Sequence, residues 1–120
     1  MWNMKIGKEE VAIIIPTYNE KENIAKTIKL VRKNVPNALL YVVDDNSPDG
    51  TKEIVEKISD IKKNNVTLIV RKKKNGRGGA VIEGFRMAIK NGKTKYFIEM
   101  DADLSHAPDE IPKILEKRGE

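Results

Sequence analysis

The chain alternates short apolar runs with longer amphipathic stretches, and this alternation constrains its fold more than any other feature. Four runs have the composition of buried strands: Val11–Ile15, Leu39–Val43, Val66–Val70 and Tyr96–Met100. A continuous apolar run of about five residues is typical of a strand that is covered on both faces. Because strands that alternate with helices form parallel sheets, the sequence predicts an α/β unit of order βαβαβαβα with helices on both faces of the sheet.

The stretches that follow the strands carry apolar residues at helical spacing. The first predicted helix runs from Glu20 to about Asn34, with Asn19 as its N-cap, and it ends before Pro36. The other predicted helices run from Asp49 or Asp45 to about Asp60, from Gly78 to about Lys90 and from about Pro108 to Lys117.

The third predicted helix begins in a glycine-rich stretch. Gly78 and Gly79 would allow either the approach of a phosphate to backbone amides or close packing of the helix on the sheet. The glycine spacing matches neither the P-loop nor the dinucleotide-binding fingerprint, so both interpretations stay open. The stripe expected to face the sheet consists of Val81, Ile82, Phe85 and Ile89.

Length and composition place the chain among small globular domains. Its 120 residues are 39% hydrophobic, and we expect a single domain over residues 1–120. The longest apolar stretches have about five residues, whereas a membrane span needs roughly 18. The first ten residues lack the apolar core of a signal peptide, so we expect a cytoplasmic location. The absence of cysteine excludes disulfides and thiolate catalysis.

The charge balance is basic. A formal charge of +5 suits anionic ligands such as nucleotides, lipid phosphates or nucleic acid, and it is equally compatible with a Lys-rich solvated surface. The cluster Arg71–Lys74 could be an RNA patch, but no base-stacking aromatic residues are interleaved with it. A nucleic-acid-binding domain is therefore the less favoured alternative.

Carboxylates follow the fourth predicted strand. Asp101 and Asp103 would lie beyond the carboxyl end of the sheet, where open α/β folds bind ligands. Mg²⁺ and Mn²⁺ prefer oxygen ligands, so Asp103 is the candidate metal ligand and Asp101 could contact a ribose or a metal-bound water. Ser105 could place an oxygen near the cation. His106 is the chain's one histidine, and such a residue is more often structural than a ligand.

Two further loops at the same predicted edge carry candidate ligand contacts. Pro16 and Tyr18 could flank a planar base or ribose, and Glu20 could accept hydrogen bonds from hydroxyls. Asp45 could hydrogen-bond a base or ribose. The alternative interpretation assigns these segments only to a strand end, a helix cap and a turn at Asp49–Thr51.

Four segments together resemble family 2 glycosyltransferases of the GT-A fold, most closely the dolichol-phosphate mannose synthases. They are IIPTYNEKENI, VVDDNSPDGT, NGRGGAVIEGF and MDADLSHAPDEIP. The resemblance covers nearly all of residues 11–112, in the order of the family. The resemblance implies a Rossmann-like fold with a parallel sheet that binds a nucleotide sugar.

The resemblance implies specific roles for site residues. Asp101 and Asp103 are implied to be catalytic, with Asp103 a direct metal ligand and Ser105 a second position close to the metal. Arg77 stands where relatives usually have an apolar residue, and its role stays open. The substrate-binding positions implied by the family are Pro16, Tyr18, Glu20, Val43, Asp45, Asp101, Ala102 and Asp103.

The resemblance also implies an activity. Family members transfer a sugar from a nucleotide diphosphate to a polyprenyl phosphate with inversion; here the implied reaction is transfer of mannose from GDP-mannose to dolichyl phosphate, with Mg²⁺ or Mn²⁺, at the cytoplasmic face of a membrane. Family domains continue for about as many residues again. We therefore expect a donor-binding half, with a second chain as one way to complete the site. The alternatives are a fragment that binds a nucleotide sugar without turnover and a related glucosyltransferase.

Overall fold

The computed structural model describes residues 11–59, 65–72, 76–105 and 108–112. Strands and helices alternate along these residues, which confirms the predicted α/β order as far as the described chain extends. Of the last predicted helix, the described part begins with a 3₁₀ turn. The elements are β1 (Val11–Thr17), α1 (Ile24–Asn34), β2 (Leu39–Asp44), α2 (Thr51–Ser59), β3 (Val66–Val70), α3 (Arg77–Asn91), β4 (Tyr96–Glu99) and the 3₁₀ helix (Pro108–Glu110).

The four strands form one parallel sheet in the order β3-β2-β1-β4. The chain moves outward from β1 to β3 and then returns to place β4 on the other side of β1. The direction of winding therefore reverses between β1 and β4. Open α/β sheets bind ligands beyond the carboxyl ends of their strands at such a reversal, so this topology places the expected site between the loops that follow β1 and β4.

Helices cover both faces of the sheet, as predicted. Helices α1 and α2 pack on one face through Ile24, Ile28, Val31 and Val55, against strand residues such as Ile13 and Val42. Helix α3 packs on the other face, where Ala80 and Ala88 meet Ala12, Ile14, Tyr41 and Val43. The central strands β1 and β2 are buried on both sides, which explains their continuous apolar sequences. The edge strands β3 and β4 are only partly buried, contrary to the expectation from their sequences, and Val70 and Phe97 are exposed.

Small residues bring α3 close to the sheet, and this corrects the predicted stripe. Val81 is buried, but Ile82 and Ile89 are 53% and 64% exposed. The buried positions also include Gly84. A Cβ atom at Gly84 would lie 2.6 Å from Cγ2 of Ile14 and 3.3 Å from Cγ2 of Val43, so a larger side chain would push the helix outward. The large residues of α3 therefore lie beside this contact rather than in it.

Helix α1 begins at Ile24, four residues later than predicted, and Asn19 is not its N-cap. Asn19 has a φ of +55°, which is left-handed, and its amide donates to a neighbouring loop. Pro16 lies inside β1 rather than ending it. A proline has no amide hydrogen to donate to a neighbouring strand, and it is tolerated here because the pairing of β1 with β4 stops at Ile14. For α2, Asp49 is the acid at the helix start: its carboxylate accepts the amide of Thr51.

Within the described residues, each helix is too short or too polar to cross a membrane.

We expect Gly84→Ala to lower the free energy of unfolding. Overpacking a core typically costs about 1–3 kcal/mol, and the higher helix propensity of alanine would return up to about 1 kcal/mol. Gly78→Ala is the matched control, because no atom lies within 4 Å of a Cβ built there. Urea denaturation of both variants checks this. A stability of Gly84→Ala equal to that of Gly78→Ala would contradict the close contact.

Candidate functional site

The loop after β1 is held in place by the loop after β2. Three successive backbone amides of the first loop donate to three side-chain oxygens of the second. We call these contacts the amide ladder: Asn19 to Ser47 Oγ (2.9 Å), Glu20 to Thr51 Oγ1 (2.9 Å) and Lys21 to Asp49 Oδ2 (3.1 Å). The ladder explains why this segment contains more hydroxyls and carboxylates than a turn requires.

Asp44 fixes the base of the amide ladder. Its fully buried carboxylate accepts the hydroxyl of Thr17 at 2.7 Å, and the hydroxyl and amide of Ser47 at 2.6 and 2.8 Å. These bonds tie the end of β1 to the loop after β2. The sequence analysis assigned Asp44 no role of its own; the structure shows that it is the structural member of the Asp44–Asp45 pair.

Asp49 stabilises the same loops electrostatically. Desolvation acts to raise the pKa of its carboxyl, but hydrogen bonds from the Thr51 hydroxyl and from the amides of Lys21 and Thr51 outweigh it, so the pKa is lowered. A lowered pKa means that the folded chain favours the charged carboxylate. This stabilisation is present above the ordinary pKa of aspartate and is lost as the pH falls through the lowered value.

A cleft of about 290 Å³ opens at the carboxyl edge of the sheet, at the reversal between β1 and β4. Its walls come from the loops after β1, β2 and β4 and from the start of α3. The residues that line it are Pro16, Thr17, Tyr18, Glu20, Asp45, Gly76, Arg77, Ala80, Asp101, Ala102 and Asp103.

Most of the predicted site residues meet in this cleft, and two do not line it. Val43 is fully buried in the core beneath α3 and is not exposed to the cleft, contrary to its predicted role in substrate binding. Ser105 lies just outside the lining. His106 lies outside the described residues. The predicted residues that do line the cleft are Pro16, Tyr18, Glu20, Asp45, Asp101, Ala102 and Asp103.

Asp45 is 5% exposed and presents an unsatisfied oxygen. Its Oδ1 lies 3.2 Å from Nε of Arg71, but among the described residues this oxygen has no partner with hydrogen-bond geometry. The same holds for Nη1 of Arg71. Buried polar atoms are nearly always satisfied, by protein, water or ligand. The Asp45 carboxylate is therefore suited to accept a hydrogen bond from a molecule in the cleft.

The sequence analysis missed the role of Arg71. The basic cluster suggested an RNA patch, but Arg71 is half-buried and directed toward Asp45. Gly79 makes room for it, because a Cβ there would lie 2.8 Å from Nη2 of Arg71. The informative signal was the position of an arginine directly after β3, at the same edge as the acidic loops.

The loop after β4 is held by its own side chains and by α1. Oδ1 of Asp103 accepts the Ser105 amide at 2.9 Å, and the Ser105 hydroxyl donates to Oδ2 of Asp101 at 3.1 Å. Leu104 between them has a φ of +68°, a strained conformation for a branched residue. The hydroxyl of Thr27 donates to the carbonyl of Ala102 at 2.8 Å. Together these contacts hold Asp101 and Asp103 at the cleft.

Like charges crowd the cleft. The pKa of Glu20 is raised, mainly because burial disfavours its charged form; a hydrogen bond with Asn23 opposes this, and repulsion from Asp103, Asp49 and Asp101 adds to it. The raised pKa means that the charged form costs stability, and this cost grows as the pH rises through the raised value. A cation in the cleft would relieve the repulsion.

The oxygen-rich cleft fits a hard divalent cation, provided that a ligand completes the coordination. Among the described residues, no group of three or more histidine, cysteine, aspartate or glutamate side chains could hold a metal ion. Mg²⁺ is commonly bound by one or two carboxylates together with substrate phosphates and water. Asp101 and Asp103 match that pattern.

Comparison with known proteins identifies the family of the chain. A model of the family described as glycosyl transferase family 2 matches residues 12–119. The chain belongs to glycosyl transferase family 2. Its membership agrees with the resemblance carried by the sequence motifs.

Three curated relatives carry names of one functional type. The chain is 37% identical over 108 residues to a polyprenol monophosphomannose synthase of Mycolicibacterium smegmatis, matching 90% of this chain and 40% of the relative. It is 42% identical to an undecaprenyl-phosphate mannosyltransferase of Micrococcus luteus (88% and 43%) and 41% identical to a dolichol-phosphate mannosyltransferase of Pyrococcus furiosus (89% and 29%). The chain thus spans less than half the length of these relatives.

Solved structures confirm the GT-A fold. A mannosyltransferase from Pyrobaculum calidifontis, in complex with GDP-Man and Mn²⁺, superposes with a TM-score of 0.77 at 24% identity, over 92% of this chain and 32% of that one. S. aureus TarS 1-349 in complex with UDP superposes with a TM-score of 0.62 at 27% identity, over 78% and 27%. The parallel sheet of this chain therefore has the GT-A architecture.

We expect Asp44→Asn to lower the free energy of unfolding by about 2–3 kcal/mol. The side-chain NH₂ group of asparagine would face at least one of the three groups that now donate to the carboxylate, so that hydrogen bond would be lost. Hydrogen bonds to charged groups contribute about 1.5–3 kcal/mol. Asp109→Asn removes the same charge at an exposed position and serves as control. In urea denaturation, similar small losses for both variants would contradict the assigned structural role of Asp44.

Proposed function

We propose that this chain contains the donor site of a metal-dependent polyprenyl-phosphate mannosyltransferase. The observation that carries the proposal is the pairing of two features in one cleft. One is the unsatisfied buried oxygen of Asp45, and the other is the carboxylate pair Asp101 and Asp103. The first suits a nucleoside, and the second suits a cation with its diphosphate.

The choice of mannose and of a lipid phosphate rests on the relatives. Two of them are named mannosyltransferases, of undecaprenyl phosphate and of dolichol phosphate. The third is named a polyprenol monophosphomannose synthase. GDP-mannose as donor and Mn²⁺ or Mg²⁺ as cation are supported by the Pyrobaculum calidifontis complex. We therefore propose GDP-mannose as the donor and dolichyl or another polyprenyl phosphate as the acceptor.

The described residues suggest how the donor would be bound. The Asp45 carboxylate would accept a hydrogen bond from the base or ribose, since among the described residues its Oδ1 makes an ion pair with Arg71 but no hydrogen bond. Pro16 and Tyr18 would flank the nucleoside, and Glu20 would accept from hydroxyls.

For the reaction, the cleft would hold the leaving diphosphate and leave the attack to the acceptor. Asp103, with Ser105 nearby, would hold the cation, and Asp101 would complete the oxygen ligands or bind the sugar nucleotide. When bound, the cation would offset the negative charge that develops on the departing diphosphate. A phosphate acceptor is already anionic near neutral pH, because its second pKa is about 6 by analogy with phosphoamino acids. Inversion by direct attack then requires no protein base.

Binding of a nucleotide sugar without turnover is the second candidate. It requires only the groups that line the cleft, such as Asp45, Asp101 and Asp103. A related glucosyltransferase would use the same cleft with a different donor.

We expect GDP-mannose to bind in the presence of Mn²⁺, and Asp103→Asn to weaken this metal-dependent binding about tenfold or more. Loss of one charged contact costs about 1.5–3 kcal/mol, and 1.4 kcal/mol is tenfold in affinity. Calorimetry with GDP-mannose, UDP-glucose and generic RNA compares the candidates, with Asp109→Asn as control. Unchanged binding by Asp103→Asn would contradict the metal assignment. Salt-sensitive RNA binding without any nucleotide-sugar binding would favour the nucleic-acid alternative.

A further inference from the structure

Arg77 is the residue whose role the family resemblance left open, and the structure gives it specific partners. It is the first residue of α3, and its guanidinium contacts both Oε2 of Glu99 and Oδ1 of Asp101. Asp101 belongs to the carboxylate pair that fits a divalent cation. Arg77 therefore forms an ion pair with a carboxylate that a divalent cation would also bind.

The surroundings of Arg77 are acidic. Glu20, Asp45, Asp101 and Asp103 line the same cleft, and Arg77 is the one basic side chain among the described lining residues. The raised pKa of Glu20 reflects, after burial, repulsion from three nearby aspartates. The guanidinium thus offsets a local excess of negative charge when no other cation is bound.

The contacts of Arg77 can be broken at low cost. Its side chain is 45% exposed, and those of Glu99 and Asp101 are 39% and 31% exposed. Exposed ion pairs contribute about 0–1 kcal/mol, because water solvates both partners well. A divalent cation attracts a carboxylate more strongly than a single delocalised charge does, so it can displace the guanidinium.

We propose that Arg77 is an internal counter-ion that holds Asp101 in the metal-free chain and competes with the divalent cation for it. The inference rests on the proposed cation site of the donor cleft. By this competition Arg77 lowers the affinity of the cleft for a divalent cation. A ligand that draws the guanidinium away from Asp101 raises the affinity for the cation, and by linkage the cation raises the affinity for that ligand.

The test measures binding of Mn²⁺ alone, without nucleotide, by the electron paramagnetic resonance signal of the free ion. We expect Arg77→Gln to bind Mn²⁺ about three- to fivefold more tightly than the parent, the range that an exposed ion pair allows. Arg86→Gln removes the same charge from an exposed position of the same helix and should change the affinity less. In an Asp101→Asn background the gain from Arg77→Gln should disappear, because the contested carboxylate is gone.

Three results would overturn the proposal. One is Mn²⁺ affinity of Arg77→Gln that does not exceed that of the parent, including no detectable binding by either protein. Another is an equal gain from Arg86→Gln, which would indicate a general charge effect. The third is a gain that persists in the Asp101→Asn background.

The proposed function and the counter-ion role fail separately. If the parent binds GDP-mannose with Mn²⁺ but Arg77→Gln gains no affinity for Mn²⁺ alone, only the role of Arg77 is wrong. If Arg77→Gln gains Mn²⁺ affinity and neither protein binds a nucleotide sugar, the counter-ion role stands and the proposed donor is wrong.

Discussion

The buried carboxylate of Asp44 is the interaction on which the candidate site depends. It accepts hydrogen bonds from Thr17, at the end of β1, and from Ser47, in the loop after β2. Ser47 in turn begins the amide ladder that positions the first loop, including Glu20. Burial of a carboxylate is costly unless its oxygens are hydrogen-bonded, and both oxygens of Asp44 are. One wall of the cleft is therefore fixed before any ligand arrives.

Topology supplies the other wall. Because β4 lies beside β1 and not beyond β3, the loop that carries Asp101 and Asp103 meets the loop that carries Glu20. Acidic groups are thereby concentrated in a confined volume. Burial is the main reason that the pKa of Glu20 is raised, and repulsion from Asp101 and Asp103 adds to it. A raised pKa means that the charged form of Glu20 costs stability, as is common where binding groups are arranged for a ligand. Arg77 offsets part of the charge through Asp101.

The sequence predicted the strands, the parallel sheet and most residues of the cleft, because apolar runs and strand-end carboxylates are local signals. It failed where a distant contact decides the outcome. Asn19 looks like a helix cap, but its backbone amide donates a hydrogen bond to the hydroxyl of Ser47 in another loop. Ile82 fits a helical stripe, yet only small residues can approach the sheet there. Arg71 looks like a surface charge until its neighbour Asp45 is placed beside it.

The central claim is that this cleft binds a nucleotide sugar through a divalent cation. The most direct measurement is a crystal structure of the chain with GDP-mannose and Mn²⁺, with diffraction data collected at the manganese absorption edge. The account predicts an anomalous peak beside the Asp103 carboxylate, with the nucleoside hydrogen-bonded to Asp45. A manganese peak elsewhere, or a nucleotide bound outside the cleft between β1 and β4, would contradict it.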